Sequence, residues 1–193
     1  MRRLFALICM TSLLSAPAWA QEGPSWRIGL VAHNIHIGGY GDMQSRETGP
    51  NLEVEAVGAP LRGLSWLWTP RPYAMASANL SGDTSFAATG LYWRWRPLRG
   101  WTLEPGFGLA LHDGALHNRY PDTDPRAADY AHDHQLLGTR YLFRDSLALD
   151  RDIGGGRTIG IEFEHLSNGG KLFGHRDNQS LNELGVRFSS PFR

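Results

Sequence analysis

After its first twenty residues, the chain alternates apolar and polar positions with period two along most of its length. That is the pattern of strands with one greasy and one polar face. Ser25 to His36 opens it, with Trp26, Ile28, Leu30 and Ala32 set against Arg27, Gly29, Val31 and His33. In the second strand Leu52, Val54 and Ala56 alternate with Glu53, Glu55 and Val57. The third, Tyr73 to Leu80, closes on the turn signal Ser81-Gly82-Asp83. Thr84 to Arg96 is the fourth, with Leu91, Trp93 and Trp95 opposite Tyr92, Arg94 and Arg96. Trp101 to His112 is the fifth, Asp133 to Leu149 the sixth and Arg157 to Asn168 the seventh. The eighth, Ser180 to Phe192, sets Asn182, Leu184, Val186 and Phe188 against Glu183, Gly185 and Arg187. Outside the first twenty residues no helical period appears, and Asp113 to Tyr130 reads as a long polar loop.

Eight antiparallel strands joined by mostly alternating short turns and long loops predict an all-β, eight-stranded transmembrane β-barrel of the bacterial outer membrane. The polar faces collect Arg27, Glu53, Glu55, Arg94, Arg96, Glu104, Arg140, Glu162, Glu164 and Arg187. A barrel of this size has room inside only for side chains, so these groups should form a packed polar lumen and no open pore. A soluble calyx would need the reverse, aliphatics inward and charges outward. Two features favour the membrane reading. Gly29, Gly106, Gly108, Gly138, Gly160 and Gly185 crowd the polar face, as an interior needs. The last strand also ends with alternate apolar residues and a penultimate Phe192.

Composition refines this picture. Arg2 and Arg3, the apolar run Leu4 to Leu14, and Ala18-Trp19-Ala20 have the plan of a secretory signal peptide cut after Ala20. The expected domains are therefore a signal peptide, 1–20, and a barrel, 21–193. The single cysteine, Cys9, leaves with the signal, which excludes a disulfide or a thiol nucleophile from the mature chain. Without Arg2 and Arg3 the balance is 17 basic against 19 acidic residues, which argues against nucleic-acid binding. No other run is long and apolar enough for a membrane-spanning helix.

Candidate chemistry sits in Gly160 to Gly170, GIEFEHLSNGG. His165 and Ser167 share a face with Ile161 and Phe163, while Glu162 and Glu164 face the other way. Side chains at i and i+2 on a strand stand parallel, about 6.5–7 Å apart at Cα. An imidazole can meet a hydroxyl across that gap, with His165 as general base and Ser167 as nucleophile. Asn168 and the backbone at Gly169 follow at once and could stabilise an oxyanion. A polar pair on a lipid-facing surface is costly unless it is used, and this one sits at the outer end of an ascending strand, at headgroup depth. Other groups are weaker candidates. His132 and His134 frame Asp133, and His112, His117 and His175 lie elsewhere, but a solvated cluster describes them better than a metal site. Lys171 and Arg176 share an outer loop and could meet phosphates. Gly154-Gly155-Gly156 is a turn without phosphate-loop context.

HLSNGG followed by NQSLNELGVRF, with RPYAMASANLSGDTSFAATGLYW and GFGLALHDGAL upstream, resembles the lipid A 3-O-deacylases of the outer membrane. The likeness is strongest from Arg71 to Gly114 and from Glu164 to Phe192. It implies a serine esterase of the Gram-negative outer membrane that removes the 3-linked acyl chain of lipopolysaccharide. No metal or other cofactor is implied; the partner is lipid A in the outer leaflet, and a homodimer is compatible with the fold. Carried over by position, His165 is the base, Ser167 the nucleophile and Asn168 the oxyanion-side residue. The family pattern has a carboxylate on the last strand where this chain has Asn182. Glu183 is adjacent but points inward in a regular strand, so it could serve only through a bulge. The alternative reading is a non-catalytic barrel of the same shape, structural or adhesive.

Overall fold

Which way the greasy faces look decides between a membrane barrel and a calyx. The computed structural model describes residues 23–35, 47–170 and 179–192. The signal segment, Lys171, His175 and Arg176 lie outside the described residues. Eight strands run β1 (Ser25–Ala32), β2 (Pro50–Val57), β3 (Arg71–Asn79), β4 (Phe86–Tyr92), β5 (Trp101–His112), β6 (Tyr141–Gly154), β7 (Arg157–Ser167) and β8 (Leu181–Pro191). Each pairs antiparallel with its sequence neighbour, and β1 pairs with β8, so the sheet closes and leaves no edge. Ile28, Val54, Leu109, Leu147, Ile161 and Val186 are exposed on the outside. Arg27, Glu55, Glu104, Arg144, Glu162 and Arg187 are buried inside. That excludes the calyx.

The interior is a network of charges that share partners. Arg27 bridges Glu55 at 2.9 Å and Glu104 at 2.7 Å. Arg187 reaches Glu104 and Glu162, each at 2.9 Å, and Asp150 at 2.6 Å. Arg144, fully buried, pairs with Glu164 and Glu162 and lies over the Tyr73 ring. Buried ions are tolerable only when each has several partners, and here most have two or three. Tyr73 and Tyr92 stack at 4.3 Å between ring centroids. A Cβ on Gly108 would stand 2.2 Å from the Tyr73 hydroxyl, and one on Gly106 2.4 Å from the Tyr92 ring. Those glycines make room for the aromatic pair. The void left between Arg27, Glu53, Met75, Arg144 and Arg187 is about 10 Å³, room for about one water molecule.

Several sequence expectations are corrected. The sixth strand begins at Tyr141, not Asp133; residues Arg126–Asp133 form helix α1 instead. It starts just after Pro125, whose fixed φ suits a helix entry, and Ala127 is its only buried residue. The fourth strand stops at Tyr92 rather than Arg96, and Arg62–Leu67 is a short 3-10 turn in the β2–β3 connection. Arg96 is exposed. Arg140 stands at the rim, donating from its guanidinium to the His112 and Gly114 carbonyls. Trp66, Trp68 and Trp95 lie exposed at the end of the barrel that carries both strand termini, where an interfacial aromatic girdle belongs.

Candidate active site

Three consecutive positive-φ glycines, Gly154, Gly155 and Gly156, fold the tight turn between β6 and β7. From there β7 climbs to Ser167 with strict alternation, which puts Glu162 and Glu164 in the lumen. Ile161, Phe163, His165 and Ser167 take the outer face, with His165 and Ser167 near its far end. His165 lies between two cross-strand neighbours, Asn182 on β8 and Asp145 on β6.

The ring of His165 is turned toward β8. Its Nδ1–H donates to the Asn182 Oδ1 at 2.7 Å. This bond fixes the tautomer and leaves Nε2 with a lone pair for the hydroxyl of Ser167, the arrangement a general base needs. No hydrogen bond joins His165 to Ser167 among the described residues; in a free enzyme such a contact commonly tightens only around substrate.

Asn168 is fully buried. Its amide donates to the Leu137 carbonyl at 3.0 Å, and its Oδ1 accepts from the Gly170 N–H at 2.9 Å. The side chain therefore ties β7 to the segment that precedes β6 and shapes the turn beyond Ser167. Gly169 and Gly170 both have positive φ, 71° and 58°, which L side chains adopt reluctantly.

Glu183 is on the opposite face from His165. It is wholly buried, accepting from Asn51 at 2.9 Å and from His33 Nδ1 at 2.7 Å. The β7–β8 register runs unbroken from Thr158 to Leu166, so no bulge brings Glu183 outward. His33, one residue beyond β1, also donates through Nε2 to Glu47 at 3.2 Å. Burial opposes a charge on this imidazole, but the bonds to Glu183 and Glu47 more than offset it and hold its pKa up at about 9. Glu47 in turn accepts from the Gln135 N–H, and Gln135 donates to the Ser180 carbonyl. The rim around the site is thereby pinned from within.

Of the histidines considered for a metal site, His112, His117, His132 and His134 do not converge: among the described residues the one group of three carboxylate or imidazole ligands within reach of each other is Glu53, Glu164 and Glu183. His134 follows α1 rather than lying on a strand, with its Nδ1 against the Tyr130 carbonyl and its ring stacked on Tyr130. Sequence reasoning missed Asp145. Its signal was a carboxylate between Phe143 and Leu147 on the outer face of β6.

The sequence model of the lipid A 3-O-deacylase (PagL) family matches residues 41–191. The chain belongs to this family. Membership sets the barrel in the Gram-negative outer membrane, with its greasy band in the bilayer. The crystal structure of the outer membrane enzyme PagL superimposes with a TM-score of 0.55 at 14% identity, covering 86% of this chain and 99% of that one. It shows the shared fold. The outer membrane protein Ail of Yersinia pestis in a phospholipid bilayer nanodisc (TM-score 0.39, 12% identity, 88% and 100% covered) is more distant. So is OprG from Pseudomonas aeruginosa (0.36, 10%, 89% and 98%). Among curated proteins none matches the sequence.

Proposed function

We propose that this PagL-family barrel is a serine esterase that hydrolyses the ester-linked 3-acyl chain of lipid A. The reading is carried by one observation: the His165–Asn182 hydrogen bond lies on the outer face of the barrel and frees Nε2 on the side chain two residues before Ser167. A lipid anchored in the outer leaflet meets that face without leaving the hydrocarbon.

In this mechanism Nε2 of His165 takes the proton of Ser167 as its Oγ adds to the ester carbonyl carbon. The negative oxygen that forms is met by the backbone N–H of Gly169, in the turn that Asn168 shapes. Collapse expels the 3-oxygen of the glucosamine, which takes the proton back from the imidazolium and departs as a hydroxyl. A water molecule, deprotonated by the same nitrogen, then adds to the acyl-serine and releases a free 3-hydroxy fatty acid, restoring Ser167. Asn182 keeps the ring in the required tautomer throughout. As a neutral amide it does not offset the imidazolium charge as a carboxylate would.

That difference favours a second reading, a barrel of the same shape that no longer catalyses and serves as a structural or adhesive protein. Mass spectrometry of lipid A from cells making wild type or Ser167→Ala separates the two. The esterase reading expects loss of one 3-hydroxyacyl mass with wild type alone. Unchanged lipid A in the presence of folded wild-type barrel would leave the second reading standing.

A further inference from the structure

An ionised side chain aimed at lipid is expensive and demands a reason. Asp145 is exposed on the outer face of β6, flanked there by Phe143 and Leu147. Among the described residues it makes no hydrogen bond or ion pair, unlike the lumen carboxylates Glu55, Glu104, Glu162 and Glu164, which all have arginine partners. Its register partner across the β6–β7 ladder is His165. Directly opposed side chains on one face of an antiparallel pair have Cβ atoms about 4.5–5.5 Å apart. Asp145, His165 and Asn182 therefore stand in one row across three strands, with Ser167 next along β7.

We infer that Asp145 is a positioning residue that supplies, through His165, the negative charge that Asn182 cannot. The inference rests on the reading of His165 as base. It divides between two neighbours a task that one carboxylate performs in a Ser-His-acid triad. Asn182 holds Nδ1 and sets the orientation of the ring. Asp145 leaves Nδ1 to Asn182 and acts across space on the imidazolium, in surroundings of low dielectric where such an interaction is strong. Facing the ring, β8 offers Asn182 and Leu184, and β6 offers Phe143, Asp145 and Leu147. Of these only Asp145 is a carboxylate. Glu164 and Glu183 are on the far side of the wall, engaged in the lumen.

The test is a titration of the His165 imidazole by NMR in detergent-solubilised barrel, its resonance assigned by loss in His165→Gln, together with kinetics on lipid A. In Asp145→Asn the imidazole should give up its proton at lower pH than in the wild type. The acid limb of the kcat profile should move down with it, and kcat should drop by about ten- to a hundredfold with KM little changed. Adding Asn182→Glu should raise both again. An imidazole titration that does not move in Asp145→Asn would overturn the inference, even if activity fell. So would a moved titration with unchanged kcat. Asp145→Ser serves as the second variant should the first not fold. Absence of deacylation by the wild type would sink the esterase reading, and the titration would still report whether Asp145 sets the charge of His165.

Discussion

Nδ1 of His165 and Oδ1 of Asn182 meet at 2.7 Å between two adjacent strands, outside the barrel wall. An amide in that place orients an imidazole but brings no charge. Asn182→Glu should therefore raise kcat, by about tenfold for each ~1.4 kcal/mol gained in stabilising the imidazolium. Asn182→Ala should lower it by about ten- to a hundredfold, since the ring loses its tautomer lock. Release of 3-hydroxy fatty acid from purified lipid A by refolded variants measures both. A Glu variant slower than the wild type would show that the site is adjusted to the amide.

Glu183 is the control for that experiment. Its carboxylate is bound to His33 and Asn51 inside the barrel, so its removal should cost stability and spare the chemistry. Taking one partner from a buried pair costs about 3–5 kcal/mol. Glu183→Ala should migrate as unfolded after milder heating on a gel that distinguishes folded from unfolded barrel, while the surviving folded fraction keeps wild-type kcat. Loss of kcat in folded Glu183→Ala would reverse the assignment of faces on β8.

The period-two alternation made the barrel legible, because lipid outside and charge inside give every strand a single reading once the sheet closes. Strand parity placed His165 and Ser167 outward and Glu183 inward from the residues alone. What parity does not carry is register. Asp145 belongs beside His165 only because the turn at Gly154–Gly156 sets β6 against β7 in that alignment. Arg144 has the parity of a lumen residue, yet its partners Glu162, Glu164 and Tyr92 emerge only from the closed sheet. Helix α1 escaped notice for another reason. Ala127, Tyr130 and Ala131 do recur at helical spacing, but the helix is two turns long, shorter than the window of about 11–18 residues over which such a period is read.

Space inside the wall gives a third prediction. A methyl group on Gly108 would lie 2.2 Å from the Tyr73 hydroxyl and 2.4 Å from the Thr89 carbonyl oxygen, and the backbone atom has nowhere to go in a closed ladder. Gly108→Ala should destabilise the barrel by about 1–3 kcal/mol. Adding Tyr73→Phe should recover part of that loss, because it removes one of the two clashing atoms. Equilibrium urea unfolding in lipid vesicles, followed by tryptophan fluorescence, reads both variants. Equal stability of Gly108→Ala and wild type would mean that the Tyr73–Tyr92 stack can shift.

The rim offers a prediction in pH. His33, just past the end of β1, is held at about 9 against an ordinary 6.5, because its bonds to Glu183 and Glu47 outweigh the opposing effect of burial. A group whose pKa is higher in the folded state stabilises fully below its unfolded pKa, and that contribution disappears as pH rises through the folded one. The barrel should thus lose stability between about pH 6.5 and 9. Glu47 is held below its ordinary 4.5: burial works the other way, but bonds from His33 and the Gln135 N–H prevail. Its share is present above pH 4.5 and is lost as pH falls through its folded value. Because Glu47 also receives the Gln135 N–H, and Gln135 holds the Ser180 carbonyl next to β8, weakening His33 should loosen the rim beside Asn182 first. Hydrogen exchange at Gln135 and neighbouring amides should accelerate from pH 7 to 9 by more than the intrinsic base-catalysed increase. In His33→Gln, which cannot gain or lose the proton, that excess should vanish; an excess that persists in the variant would place the titrating group elsewhere.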